Sequence, residues 1–89
     1  MAYDSKNLSV LAYANGFTLW HYGTVDTAAV VDTVGYFNAA SDMLRIGDMI
    51  VANADTDGTP GNGMLVVNAN AAGVVDVADM TVFGGVDTD

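Results

Sequence analysis

The chain has 89 residues, 52% of them hydrophobic, and no cysteine. One domain is the expectation, held by neither disulfides nor a Cys-based metal centre. All eleven acidic residues are Asp, against one Lys and one Arg, for a formal net charge of −9. That balance excludes counterion-release binding to nucleic acid and disfavours anionic membranes.

Residues 1–8 are polar and read as an N-terminal arm, which leaves 9–83 as the body and 84–89 as a polar tail. The first ten residues lack a basic stretch followed by an apolar one, so no secretory signal is expected. No apolar run is long enough for a membrane-spanning helix. Leu8–Tyr13 is rich in β-formers and makes a first strand. Asn15-Gly16 between two apolar runs predicts a two-residue hairpin turn, with positive φ expected at both positions. Phe17–Tyr22 alternates Phe17, Leu19 and His21 against Thr18, Trp20 and Tyr22. Aromatic side chains on both sides predict a strand covered on both faces.

Asp26 is placed as the N-cap of a helix over residues 27–34, with Gly35 as its stop. A second short helix is expected over Ala39–Leu44, capped by Asn38, with Arg45 suiting its C-terminal dipole and Gly47 closing the insert; Val30, Val34, Phe37 and Leu44 would face the core. The helical insert therefore spans 26–45. Met49–Ala52, Met64–Asn68, Val74–Val77 and Met80–Phe83 are further strands. The polar stretch between the first two of these, residues 53–63, is a loop. The expected fold is mainly β with a short helical insert, a small β-barrel or sandwich of five to six strands.

Candidate chemistry is sparse. Asn53, Asp55, Asp57 and Gly58 match the opening of a calcium loop. Its twelfth position is Met64 where a bidentate Glu belongs, and a strand follows instead of a helix. A solvated hairpin loop is the better reading. His21 is the only histidine, with no Cys partner for zinc. Ser5, Ser9 and Ser41 sit in no nucleophile elbow. Asp76 and Asp79 read as surface acid, since paired catalytic carboxylates need an apolar cleft that separates their pKa values. No cofactor, no metal and no enzymatic activity are expected. So apolar a chain of this length points instead to a partner chain, as in an obligate or assembly-dependent oligomer. Trp20, Tyr22, Tyr36 and Phe37 are the aromatic concentration, to be shared between core and a subunit interface.

The segments FTLWHY (17–22), TVD (24–26), GYFN (35–38), DML (42–44), GDMIV (47–51) and VDV (75–77) together resemble small structural proteins of tailed-phage virions. The resemblance covers about residues 13–80. It implies a capsid decoration, cement or short head-spike subunit on the outer capsid surface, made in the host cytoplasm and assembled as a trimer. The implied partners are the major capsid protein and further copies of the chain. Asp26, Gly35, Asn38, Gly47 and Asp48 would define the fold. Tyr3, Lys6 and Leu8 would belong to an arm that orders on the shell, joining Trp20, Tyr22, Tyr36 and Phe37 in capsid or subunit contacts. A chain ending at Asp89 leaves no room for a long receptor-binding fibre, which favours simple decoration. The alternative is a small β-barrel adaptor or ligand-binding module, including a neck or tail adaptor.

Overall fold

The computed structural model describes residues 3–83, so the 84–89 tail lies outside the described residues. Six strands form one sheet: β1 (Leu8–Ala14), β2 (Phe17–Gly23), β3 (Met49–Ala54), β4 (Gly61–Ala71), β5 (Val74–Val77) and β6 (Thr81–Val82). The spatial order is β1-β2-β3-β4-β5, with β6 also on β4. The protein is mainly β with a short helical insert, and the sheet is open rather than closed into a barrel.

The β1–β2 hairpin turns through Asn15-Gly16, with Ala14 opposite Phe17. Only Gly16 takes positive φ, at +80°, so the expected double-positive turn is replaced by one that asks for glycine at its second position alone. β3–β4 and β4–β5 are antiparallel. β2 and β3 run parallel, Leu19 opposite Met49 through Gly23 opposite Asn53. A parallel pair needs a long crossover, and residues 24–48 supply it.

That crossover forms the second layer of the molecule. From the sheet, Trp20, Tyr22, Ile50, Leu65 and Val67 enter the core, and Val31, Phe37, Ala40 and Leu44 of the crossover pack on them. Strand alternation puts Thr18, Trp20 and Tyr22 on the buried face. The opposite face, Phe17, Leu19 and His21, is only half-buried, which corrects the expectation of a strand covered equally on both sides.

The helical insert is much shorter than the sequence suggests. Its one α-helix, α1, spans Ala28–Val31, and Thr27 is the N-cap, accepting from the Val30 backbone N–H at 3.4 Å. The β-branched Val30, Val31, Thr33 and Val34 and the early Gly35 give little support for longer helix. The expected second helix is a single 3₁₀ turn at Asn38–Ala40, with Phe37 at its N-cap and no side-chain cap. Asn38 is occupied elsewhere: its Oδ1 accepts from Val75 N at 2.9 Å. Gly35, at φ +88°, donates its N–H to Val75 O at 2.9 Å. The Gly35–Asn38 segment thus clasps the outer edge of β5.

The proposed arm is not free where it is described. Residues Ser5–Asn7 form a 3₁₀ turn, Leu8 opens β1, and Tyr3 and Leu8 pack against the core. Aromatic burial outweighs the chain entropy that a polar arm would keep.

Candidate interaction surface

Four aromatic residues assigned by sequence to possible contacts lie in the molecule's own packing. Tyr22 and Phe37 are fully buried, and Tyr3 and Tyr36 are half-buried beside them. The Tyr3 and Tyr22 rings stack at 5.6 Å, and Phe37 meets Tyr22 and Tyr36 edge-on at 5.3 and 5.0 Å. Trp20 is buried as well. Of the two places open to these aromatics, Trp20, Tyr22 and Phe37 take the core, and Tyr3 and Tyr36 pack half-buried against it. Of the remaining contact candidates, Lys6 is exposed and lies 3.7 Å from Asp4, a solvated pair of little energetic weight.

A polar chain crosses this aromatic cluster. Tyr36 Oη donates to Asp26 Oδ2 at 2.6 Å, and Tyr22 Oη donates to Tyr36 Oη at 2.9 Å. Tyr22 Oη then accepts the Asp4 backbone N–H at 3.1 Å, tying the N-terminal segment to the core. Burial, then the bond to the Asp26 carboxylate, push the Tyr36 phenol far above its ordinary value. Burial, with Tyr22 and Asp4 nearby, also raises Tyr3. Asp26 is therefore a buried acceptor and not a helix cap. Its backbone O accepts from Asp55 N at 2.7 Å, which links the crossover to the loop after β3.

Asp48 is the other buried carboxylate, with no exposed surface. Its Oδ1 accepts from Thr18 N at 3.1 Å, and its Oδ2 from Trp20 Nε1 at 3.2 Å and Arg45 N at 3.1 Å. Gly47, at φ +95°, donates to Val67 O, and Val67 N returns a bond to Asp48 O. The Gly47-Asp48 pair so extends β3 along β4 and locks the end of the crossover to β2. Gly35, Asn38, Gly47 and Asp48 each hold the crossover against the sheet, and Asp26 ties it to the loop after β3.

The residues considered for chemistry are dispersed. His21 Nε2 is 2.8 Å from Asn53 Nδ2 on the half-buried face of the sheet, so Asn53 faces a strand neighbour and not the loop. The loop itself is closed by backbone bonds, including Gly58 N to Asp55 O. Asp32 joins Asp76 and Asp79 in an acidic group that the linear sequence does not reveal. Burial and the charge of Asp79, then Asp76, raise the Asp32 carboxyl, while the Met80 backbone N–H opposes the shift. Among the described residues, no group of three or more His, Cys, Asp or Glu is arranged to hold a metal ion.

Part of the surface is apolar. Val10, Leu11 and Tyr13 of β1 are 55%, 55% and 67% exposed. Val34 and Ile46 of the crossover are similarly open. The Arg45 guanidinium sits 6.0 Å from the centre of the Tyr13 ring, near the limit of a cation–π contact. On the far face, Met49, Met64, Val66, Ala78, Thr81 and Phe83 line an open groove of about 270 Å³. Sequence reasoning placed β1 correctly but missed its exposure. The available signal is the run without Asp, Lys or Arg from Asn7 to Val25. No protein-family model, curated protein or solved structure matches the chain.

Proposed function

We propose that the protein is a non-enzymatic structural subunit that decorates and stabilises a phage capsid, binding the major capsid protein and further copies of itself. The observation that carries this reading is apolar surface left over after the core is complete. Val10, Leu11, Tyr13, Val34 and Ile46 are exposed on a body whose core is already packed with Trp20, Tyr22 and Phe37. Exposed apolar area on a small β body fits an assembling subunit. The net charge of −9 keeps unassembled copies apart. The sequence resemblance supports a virion setting and implies a three-fold arrangement on the shell.

Heating capsids with and without bound protein tests the stabilising role. Decorated shells should melt at higher temperature, because a ligand of the assembled state shifts its stability by mass action. Unchanged shell melting would remove that role.

The groove beside Met49 and Phe83 favours a second reading, an adaptor or apolar-ligand module outside the shell surface. Its two methionines suit a deformable apolar ligand. Saturable binding of an apolar dye, abolished by Met64→Lys, would support that alternative.

A further inference from the structure

We propose that the outer edge of β1 is a seam between copies, where a second copy of this chain adds its own β1 antiparallel to the first. β1 ends the strand order and pairs only with β2. Among the described residues, no hydrogen bond from outside β2 reaches Ser9–Ala14. The opposite side of the sheet is not equivalent. Gly35 and Asn38 already occupy the Val75 backbone there, and β6 is only two residues long. β1 is thus the long edge with free backbone groups, the arrangement that recruits another strand.

The side chains fit the same event. Leu8–Ala14 contains no charge and no proline, two common blocks to edge pairing. Register places Val10 beside Trp20 and Tyr13 beside Thr18, on the core-side face. Trp20 and Thr18 are buried, while Val10 and Tyr13 are more than half exposed, so cover ends one strand short of the edge. An added strand would continue that face over Val10 and Tyr13. A bulge interrupts the β1 register between Val10 and Ala12. In a two-fold antiparallel contact, Leu8–Val10 of one copy then faces Ala12–Ala14 of the other.

Charge selects the occupant. A basic partner would be drawn to the Asp-bearing surfaces, not to a strand without acid. The chain carries −9 overall, yet no Asp, Lys or Arg occurs between Lys6 and Asp26. Two copies meeting at β1 therefore join strands that carry no charge of their own, with the Arg45 guanidinium beside Tyr13, and keep their acidic surfaces apart. The contact is isologous and closes at two copies. It draws on the same exposed β1 residues as the assembly reading but requires no capsid, and any three-fold contact on a shell would use other surfaces.

Sedimentation equilibrium of the purified chain, paired with hydrogen exchange, tests the seam. The expected species has twice the 9.2 kDa chain mass. Amides of residues 9–14 should gain protection as concentration rises through the micromolar range. Salt should favour the dimer by screening the remaining acid. The double variant Val10→Lys, Leu11→Lys changes two exposed positions, so it should keep the wild-type circular dichroism and return to single-chain mass. A wild-type monomer throughout that range would overturn the proposal. So would an oligomer that the lysines leave intact and that shows no concentration-dependent protection in β1.

Discussion

Asp48 Oδ2 accepts the Trp20 indole N–H at 3.2 Å, with neither side chain open to solvent. The bond spans from the end of the crossover to the middle of β2. The same carboxylate also holds Thr18 N and Arg45 N, so three donors converge on a buried charge that no cation partners among the described residues. Hydrogen bonds to a charged acceptor contribute about 1.5–3 kcal/mol each, and orphaning buried donors costs a similar amount. Asp48→Ala is expected to lower unfolding free energy by roughly 3 kcal/mol or more. Asp48→Asn should cost less, since one oxygen remains while the amide presents N–H to N–H. Urea titration followed by Trp20 fluorescence measures both; wild-type stability in Asp48→Ala would contradict this role.

Tyr36 is expected to contribute to the alkaline limit of stability. Its phenol is raised by burial and by donation to Asp26 from an ordinary value of 10.0. A folded state that holds its proton more tightly than the unfolded one keeps the full benefit below pH 10.0 and loses it as pH rises above that value. Thermal melts should fall steeply above that pH. Tyr36→Phe removes the donor from buried Asp26 and should cost about 1–3 kcal/mol at neutral pH. It should also flatten the alkaline decline, which melts of both proteins across the alkaline range would measure.

Asp32 acts in the opposite region of pH. Its carboxyl is raised from 3.8, first by burial and then by the Asp79 charge. Ionisation therefore works against the fold: its penalty is absent below pH 3.8 and grows as pH rises through the folded-state value. Asp32→Asn should raise the melting temperature at neutral pH, and the gain should vanish in acid. Equal melting temperatures at neutral pH would show that solvent screens the group.

Gly63 fixes how closely β6 approaches β4. A Cβ there would run into the Thr81 carbonyl and lie 2.8 Å from Met80 Cγ. Gly63→Ala should force β6 away at a cost of about 1–3 kcal/mol, typical of overpacking. Faster hydrogen exchange at residues 80–83 would report the displacement.

Much of the sheet was legible because its signals are local. Phe17–Tyr22 alternates cleanly, Asn15-Gly16 punctuates the chain, and β3 and β5 are short apolar runs. The crossover was misjudged because its decisive bonds are long-range. Asp26 looks like a cap until Tyr36 reaches it, and Asn38 looks like a cap until Val75 takes its oxygen. The parallel pairing of β2 and β3 leaves no mark in either strand's composition. The exposed edge was hidden for a related reason. Nothing in the residue types of Val10 and Tyr13 marks them as open; the end of the covering layer at Trp20 leaves them so.

The most direct measurement is quantitative mass spectrometry of purified virus particles from the source, counting this chain against the major capsid protein. Decoration predicts a fixed copy number that is a large fraction of the capsid protein's. Absence from particles, or only a few copies in each, would contradict it.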